Sequence, residues 1–138
     1  MIQRVFFPTI LLAVLFTGCG GSDLKQIKGT VTHNGKPVAN LYLTFMPSDP
    51  KTQPASSSST DKDGRFELKI GSEGGVVPGK YTVTCSDPAA MMGGKSSDDK
   101  DYAVVCKKYA QGTSTYTIEV KESNRNLELK IGLVLCPD

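Results

Sequence analysis

The chain has 138 residues, with 16 Lys+Arg against 14 Asp+Glu and a single His, for a formal net charge of +2. That length holds one domain and leaves no room for a second, and a charge so near balance lacks the basic footprint of a DNA- or RNA-binding protein. Hydrophobic residues at 38%, charged residues at 22%, no Trp, and 14 Gly with 8 Pro suit a turn-rich globular domain better than a disordered tail.

Residues 5 to 16, Val-Phe-Phe-Pro-Thr-Ile-Leu-Leu-Ala-Val-Leu-Phe, are nearly all apolar and follow Arg4. At about twelve residues the run falls well short of the roughly 20 that a membrane-crossing helix needs, so it reads as the apolar region of a secretory signal. Next comes Leu15-Phe16-Thr17-Gly18-Cys19, followed by Gly20, Gly21 and Ser22. This segment resembles the bacterial lipobox, whose Cys is acylated on sulfur and becomes the mature N-terminus, although Phe16 is a less usual choice than Leu. The resemblance implies a signal peptide over 1–18, a flexible tether over 19–25 behind a lipidated Cys19, and a domain over 26–138. That domain would face away from the cytoplasm in a bacterial cell envelope, with the outer membrane favoured. Each buried CH₂ contributes about 0.8 kcal/mol, so a diacyl group on Cys19 makes membrane residence effectively permanent.

With Cys19 taken by lipid, Cys85, Cys106 and Cys136 remain in a compartment that permits disulfides. One bridge and one free thiol is the simplest outcome. A Cys106–Cys136 bridge would stabilise by roughly 3–4 kcal/mol on the loop-entropy model; Cys85–Cys106 is the alternative. There is no Cys-x-x-Cys, and one His leaves too few grouped ligands for a tetrahedral zinc site.

Along the rest of the chain the apolar pattern has period two. The runs Ile27 to His33 and Leu41 to Met46 come first, with Ser56 to Thr60 as a weaker polar edge. Phe66, Leu68 and Ile70 then alternate with Arg65, Glu67 and Lys69, and Tyr81, Val83 and Cys85 with Thr82 and Thr84. Tyr116, Ile118 and Val120 alternate with Thr117 and Glu119, and Leu127, Leu129, Ile131 and Leu133 with Glu128 and Lys130. Each reads as a half-buried strand, because successive strand side chains point to opposite faces. Asn34-Gly35 and Asp63-Gly64 are turn dipeptides and predict hairpins. No stretch of ten or more residues shows apolar spacing at 3.6. The economical reading is therefore all-β: seven short strands in two packed antiparallel sheets, with Cys85 facing inward. Two loops stand out, Pro47 to Ala55 and Asp87 to Gly112. The second is long enough to be either functional or disordered.

Three segments together carry a family resemblance. Gly29-Thr30-Val31-Thr32-His33-Asn34-Gly35-Lys36-Pro37-Val38-Ala39-Asn40, followed by Leu43-Thr44-Phe45-Met46-Pro47, is similar to the opening of carboxypeptidase regulatory-like domains. Thr60-Asp61-Lys62-Asp63-Gly64-Arg65-Phe66 resembles their Asp-Gly hairpin, and Val77-Pro78-Gly79-Lys80-Tyr81-Thr82-Val83 their Gly-x-Tyr strand entry. Lys108-Tyr109 and Ser114 to Val120 resemble the ending of small bacterial lipoproteins of that kind, with Cys106 where Pro is common. The resemblance implies a transthyretin-like sandwich. The motifs themselves are structural, since Asp61 and Asp63 can bond nearby amides and Phe66 opens the next strand.

Chemistry-bearing patterns fail on inspection. Asp61-x-Asp63-Gly64 resembles the start of a calcium loop, but the sixth and twelfth positions are Phe66 and Ser72 rather than Gly and Glu. Asp98, Asp99 and Asp101 would add oxygen ligands only if the long loop folded back. Ala89 to Ser96 ends in the Gly-Lys-Ser of a phosphate-binding loop, yet an acidic run follows where a helix should start, so no nucleotide is expected. His33 is the one available base, beside a turn, and Ser56 to Ser59 read as a solvated edge rather than nucleophiles. No catalytic set and no cofactor are expected. The reading is a non-enzymatic, membrane-anchored lipoprotein that binds or scaffolds an envelope protein partner. Its contacts would be the sheet edges and the 87–112 loop, with Met91, Met92 and Tyr102 as adaptable apolar groups. The alternative is a carbohydrate- or calcium-binding module, weakened for sugar by the absence of Trp.

Overall fold

A computed structural model describes residues 23–132. Cys19, its lipobox and Cys136 lie outside the described residues.

The first strand, β1 (Ile27–His33), ends in a tight turn into β2 (Lys36–Pro37). Asn34 and Gly35 take φ of 50° and 79°, the paired positive values of a primed hairpin turn, and His33 pairs with Lys36 as the sequence predicts. The chain then crosses to β3 (Tyr42–Pro47), which alternates half-buried and buried residues with Leu43, Phe45 and Pro47 inward. It returns as β4 (Ser56–Ser59), followed by β5 (Arg65–Glu67), β6 (Lys69–Ile70), β7 (Glu73–Gly74) and the long β8 (Gly79–Ser86). Two helices come next, α1 (Pro88–Met91) and α2 (Lys100–Lys108), before β9 (Thr117–Val120) and β10 (Asn124–Ile131).

The strands form two sheets around one hydrophobic cluster. The larger has the order β7-β6-β4-β3-β8-β9. In the smaller, β1 lies between β10 on one side and β2 and β5 on the other. Leu43, Phe45, Tyr81 and Val83 from the first meet Val31, Phe66 and Leu129 from the second, all nearly fully buried. Each such side chain contributes about 1.5–3 kcal/mol by leaving water. Phe45 and Tyr81 stack tilted, 6.1 Å between centroids, and the Tyr81 hydroxyl donates to Val77 O at 2.6 Å, so its polar end is satisfied.

The all-β reading with two sheets holds, and Tyr81, Val83 and Cys85 point inward as predicted. Four details differ. Among the described residues ten strands form rather than seven: β2 and β7 are two residues each and too short to show a period, and the predicted run from Arg65 to Ile70 divides into β5 and β6, which join different sheets. The sheets are not wholly antiparallel, since β10 pairs with β1 in parallel, from Ile27 opposite Asn124 to His33 opposite Ile131. The Asp63-Gly64 turn forms but does not make a hairpin between neighbours: β4 pairs with β3 and β6, whereas β5 pairs with β1 in the other sheet. Finally, the serine run of β4 is an inner strand and not an edge. Ser56 is fully buried, and the hydroxyls are bonded: Tyr42 donates to Ser57 Oγ at 2.9 Å and the Glu67 amide to Ser58 Oγ at 3.2 Å.

The largest departure is the 87–112 segment, expected as a loop. It contains both helices. Asp87 caps α1 by accepting from the Ala89 amide at 2.9 Å, with Pro88 at the first helical position. Asp99 caps α2 by accepting from the Asp101 amide at 2.8 Å. Tyr102, Val105 and Tyr109 put one stripe of α2 and its C-cap into the core. That spacing is helical, but α2 is nine residues long and so escapes a search for longer periodic runs.

Candidate functional site

Where β1 ends and α2 begins, the structure leaves a cleft of about 490 Å³. Its walls come from the β1–β2 turn, the link from β2 to β3, the start of α1 and the first turn of α2. His33 forms the floor. It is the last residue of β1 and faces inward by strand parity, 8% exposed. Its Nδ1 is buried and has no hydrogen-bond partner among the described residues. The Asp101 carboxylate stands 4.0 Å from that nitrogen, with its own side chain 59% exposed. The imidazole packs edge-on against Gly132, where a Cβ would lie 2.3 Å from Cδ2.

Asp87 lies on the opposite wall, nearly buried. The Ser96 hydroxyl and the Ala89 amide both donate to it. The Ser96 bond above all, with amides of the α1 turn, holds its carboxyl below the usual carboxylate range against the opposing effect of burial. Tyr102 closes the back by donating its hydroxyl to Asn40 O at 2.8 Å. Burial, and secondarily the Cys106 thiol and Asp87, push the Tyr102 hydroxyl well above its ordinary value. Three carboxylates, Asp87, Asp99 and Asp101, and one ammonium, Lys36, line this cleft.

The residues singled out in the sequence separate into two groups. Met91 and Met92 are 69% and 88% exposed, as an interaction surface requires. Tyr102 is not with them: at 6% exposed it is a core residue of α2, a correction that follows from its helical spacing with Val105. Asp61 spends its carboxylate on the turn, accepting from the Asp63 and Arg65 amides at 2.9 Å each. The Arg65 amide is the chief reason its carboxyl sits below the ordinary range. Asp98 pairs with Lys95 at 2.9 Å, which takes the lysine of the Gly-Lys-Ser run. Among the described residues no three His, Cys, Asp or Glu side chains converge as metal ligands.

Among the described residues Cys85 and Cys106 are free thiols. Burial, and secondarily the Cys106 thiol, push Cys85 up to about 12; burial and then Asp87 push Cys106 up to about 11. Neither is poised as a nucleophile, which needs a depressed value. Among the described residues no helix is long and apolar enough to cross a membrane.

Sequence reasoning missed the His33–Asp101 juxtaposition. The only available signal was the i, i+3, i+4, i+7 series Tyr102, Val105, Cys106, Tyr109, which marks a helix docked with Asp101 at its first turn. No protein-family model, no curated protein and no solved structure matches this chain.

Proposed function

We propose that this chain is a non-enzymatic lipoprotein of the bacterial cell envelope, anchored through Cys19, whose transthyretin-like sandwich docks a protein partner. One observation supports the docking surface. Among the described residues the three exposed large hydrophobics are Met91, Met92 and Val104, and all three lie on the helical excursion between β8 and β9. Apolar side chains held outward on a capped, core-tethered excursion are what a partner surface needs, and methionine adapts its shape to what it meets. The outer edge of β10, eight residues long and paired only with β1 among the described strands, offers backbone groups for strand addition. The signal and lipobox motif of residues 5–19 support the compartment.

The test is crosslinking in the native cells, followed by extraction in mild detergent and co-purification. A single stoichiometric partner, lost from the Met91→Glu/Met92→Glu double variant, is the expected result. No partner, or one retained at full yield by that variant, overturns the reading. Cys19→Ser, in the same cells, should move the chain out of the membrane fraction.

A further inference from the structure

We infer that the cleft between the β1–β2 turn and the start of α2 binds a primary ammonium group on a short apolar stem, held between Asp101 and Nδ1 of His33, with Asp99 on the same wall adding negative charge. The acidic residues alone would not argue this, because Asp99 and Asp101 sit where carboxylates ordinarily complement a helix N-terminus. His33 decides it. Its Nδ1 is buried and unpartnered among the described residues, and such a group costs stability unless something completes it.

The spacing suits a donor from outside. At 4.0 Å the gap from Nδ1 to Asp101 Oδ1 is too long for a direct hydrogen bond. One nitrogen interposed at about 2.9 Å from each would subtend close to a right angle, which an ammonium with three divergent N–H groups meets with little distortion. With the imidazole proton on Nε2, Nδ1 offers a lone pair to that donor. Asp101 accepts no hydrogen bond from the described residues and its side chain is mostly exposed, so its carboxylate swings over a ligand without disturbing the core. Asp99 gives one oxygen to the Asp101 amide and keeps the other free.

Charge selects the sign of the ligand. Asp87, Asp99 and Asp101 outnumber Lys36 around the cleft, and Asp87, already bonded to Ser96 and Ala89, contributes its charge rather than a further hydrogen bond. A divalent cation is the poorer match, since it needs more converging ligands than the described residues supply. Pro37, Val38 and Pro88 line the remaining wall and suit an alkyl stem.

The same chemistry could come from a free amine or from a lysine side chain of a docked protein. The test is calorimetric and NMR titration of the full chain in detergent, with n-butylamine, with Nα-acetyl-lysine-N-methylamide, and with 1-butanol as the neutral isostere. Saturable binding of an ammonium probe, a shift of the His33 imidazole resonances and no response to 1-butanol are expected. Asp101→Asn should weaken binding about tenfold, and Asp99→Asn, which still caps α2, should weaken it less; each variant melts cooperatively and only a few degrees below the parent, as loss of one charge at a helix N-terminus requires. No saturation, an equal response to 1-butanol, or unaltered affinity in Asp101→Asn overturns the site. Tighter binding of the lysine derivative than of butylamine assigns the site to a partner's lysine, and equal binding assigns it to a free amine. Because the Met91/Met92 variant is read by co-purification, failure of either proposal leaves the other standing.

Discussion

Tyr102 on α2 donates its hydroxyl to the backbone oxygen of Asn40 at 2.8 Å, across 62 residues of sequence. Asn40 takes a positive φ of 55° on the link from β2 to β3, so this bond ties the helical excursion to the strand connection that forms the cleft's other wall. Tyr102→Phe leaves the Asn40 carbonyl without that donor and should lower stability by about 1 kcal/mol. Tyr102→Ala also empties the space under α2 and should cost about 3–5 kcal/mol. Urea unfolding curves measure both. A difference under a few tenths between the two variants would contradict the packing role given to this ring.

Gly29 is set by a different contact. A Cβ built there would lie 2.0 Å from the Leu127 carbonyl oxygen and 2.9 Å from the tip of the Phe66 ring. The register between β1 and β10 shifts at this point, between Ile27 and Gly29, so the strands approach closely where the ladder is irregular. Gly29→Ala should therefore destabilise by about 3 kcal/mol, as an overpacked site whose main obstacle is backbone. Thermal melts check it, and faster amide exchange along β10 than along β3 would show that the parallel pair opens first.

The two thiols give a prediction in alkali. Cys85 and Cys106 are raised from an ordinary 9.0 to about 12 and about 11, chiefly by burial. The folded chain thus keeps protons that the unfolded chain loses. Their contribution to stability is intact below pH 9 and declines as pH rises from there through the folded values. Guanidinium midpoints should fall between pH 9 and pH 11, and less steeply in Cys85→Ala once its lower starting stability is subtracted. At pH 8 iodoacetamide should modify Cys106, which is half-buried, faster than buried Cys85.

Asp87 sets the acid side. Its carboxyl is lowered mainly by the Ser96 hydroxyl, so the folded state favours the ionised form. That stabilisation is present above the unfolded carboxyl value, about 3.9, and is lost as pH falls through the folded value. Ser96→Ala should raise the pH at which the chain unfolds in acid, and Asp87→Asn should make the acid transition less steep. Circular dichroism during acid titration follows both; identical acid midpoints for Ser96→Ala and the parent would refute the assignment.

Much of this architecture is legible in the chain because it is local. Alternation puts Leu43 and Phe45 on one face of β3 and Tyr81 and Val83 on one face of β8 whatever those strands pair with, and Asn34-Gly35 accepts two positive φ values on its own. Asp61 was readable as a turn residue for the same reason, since its partners are the amides of Asp63 and Arg65. The excursion over 87–112 was half legible: its Asp-Pro and Asp99 caps and its Tyr102-Val105-Tyr109 stripe were present, but too short to outweigh a strand pattern on either side. What the amino-acid order determined alone is thus the all-β character and the inward face of each longer strand. Only the tertiary structure decided that β10 returns to lie parallel to β1, that the serines of β4 are interior, and that Asp101 stands over His33. Those outcomes depend on pairings between residues distant in sequence, whose entropy of closure is repaid by burial shared across the whole core, and no single segment carries that information.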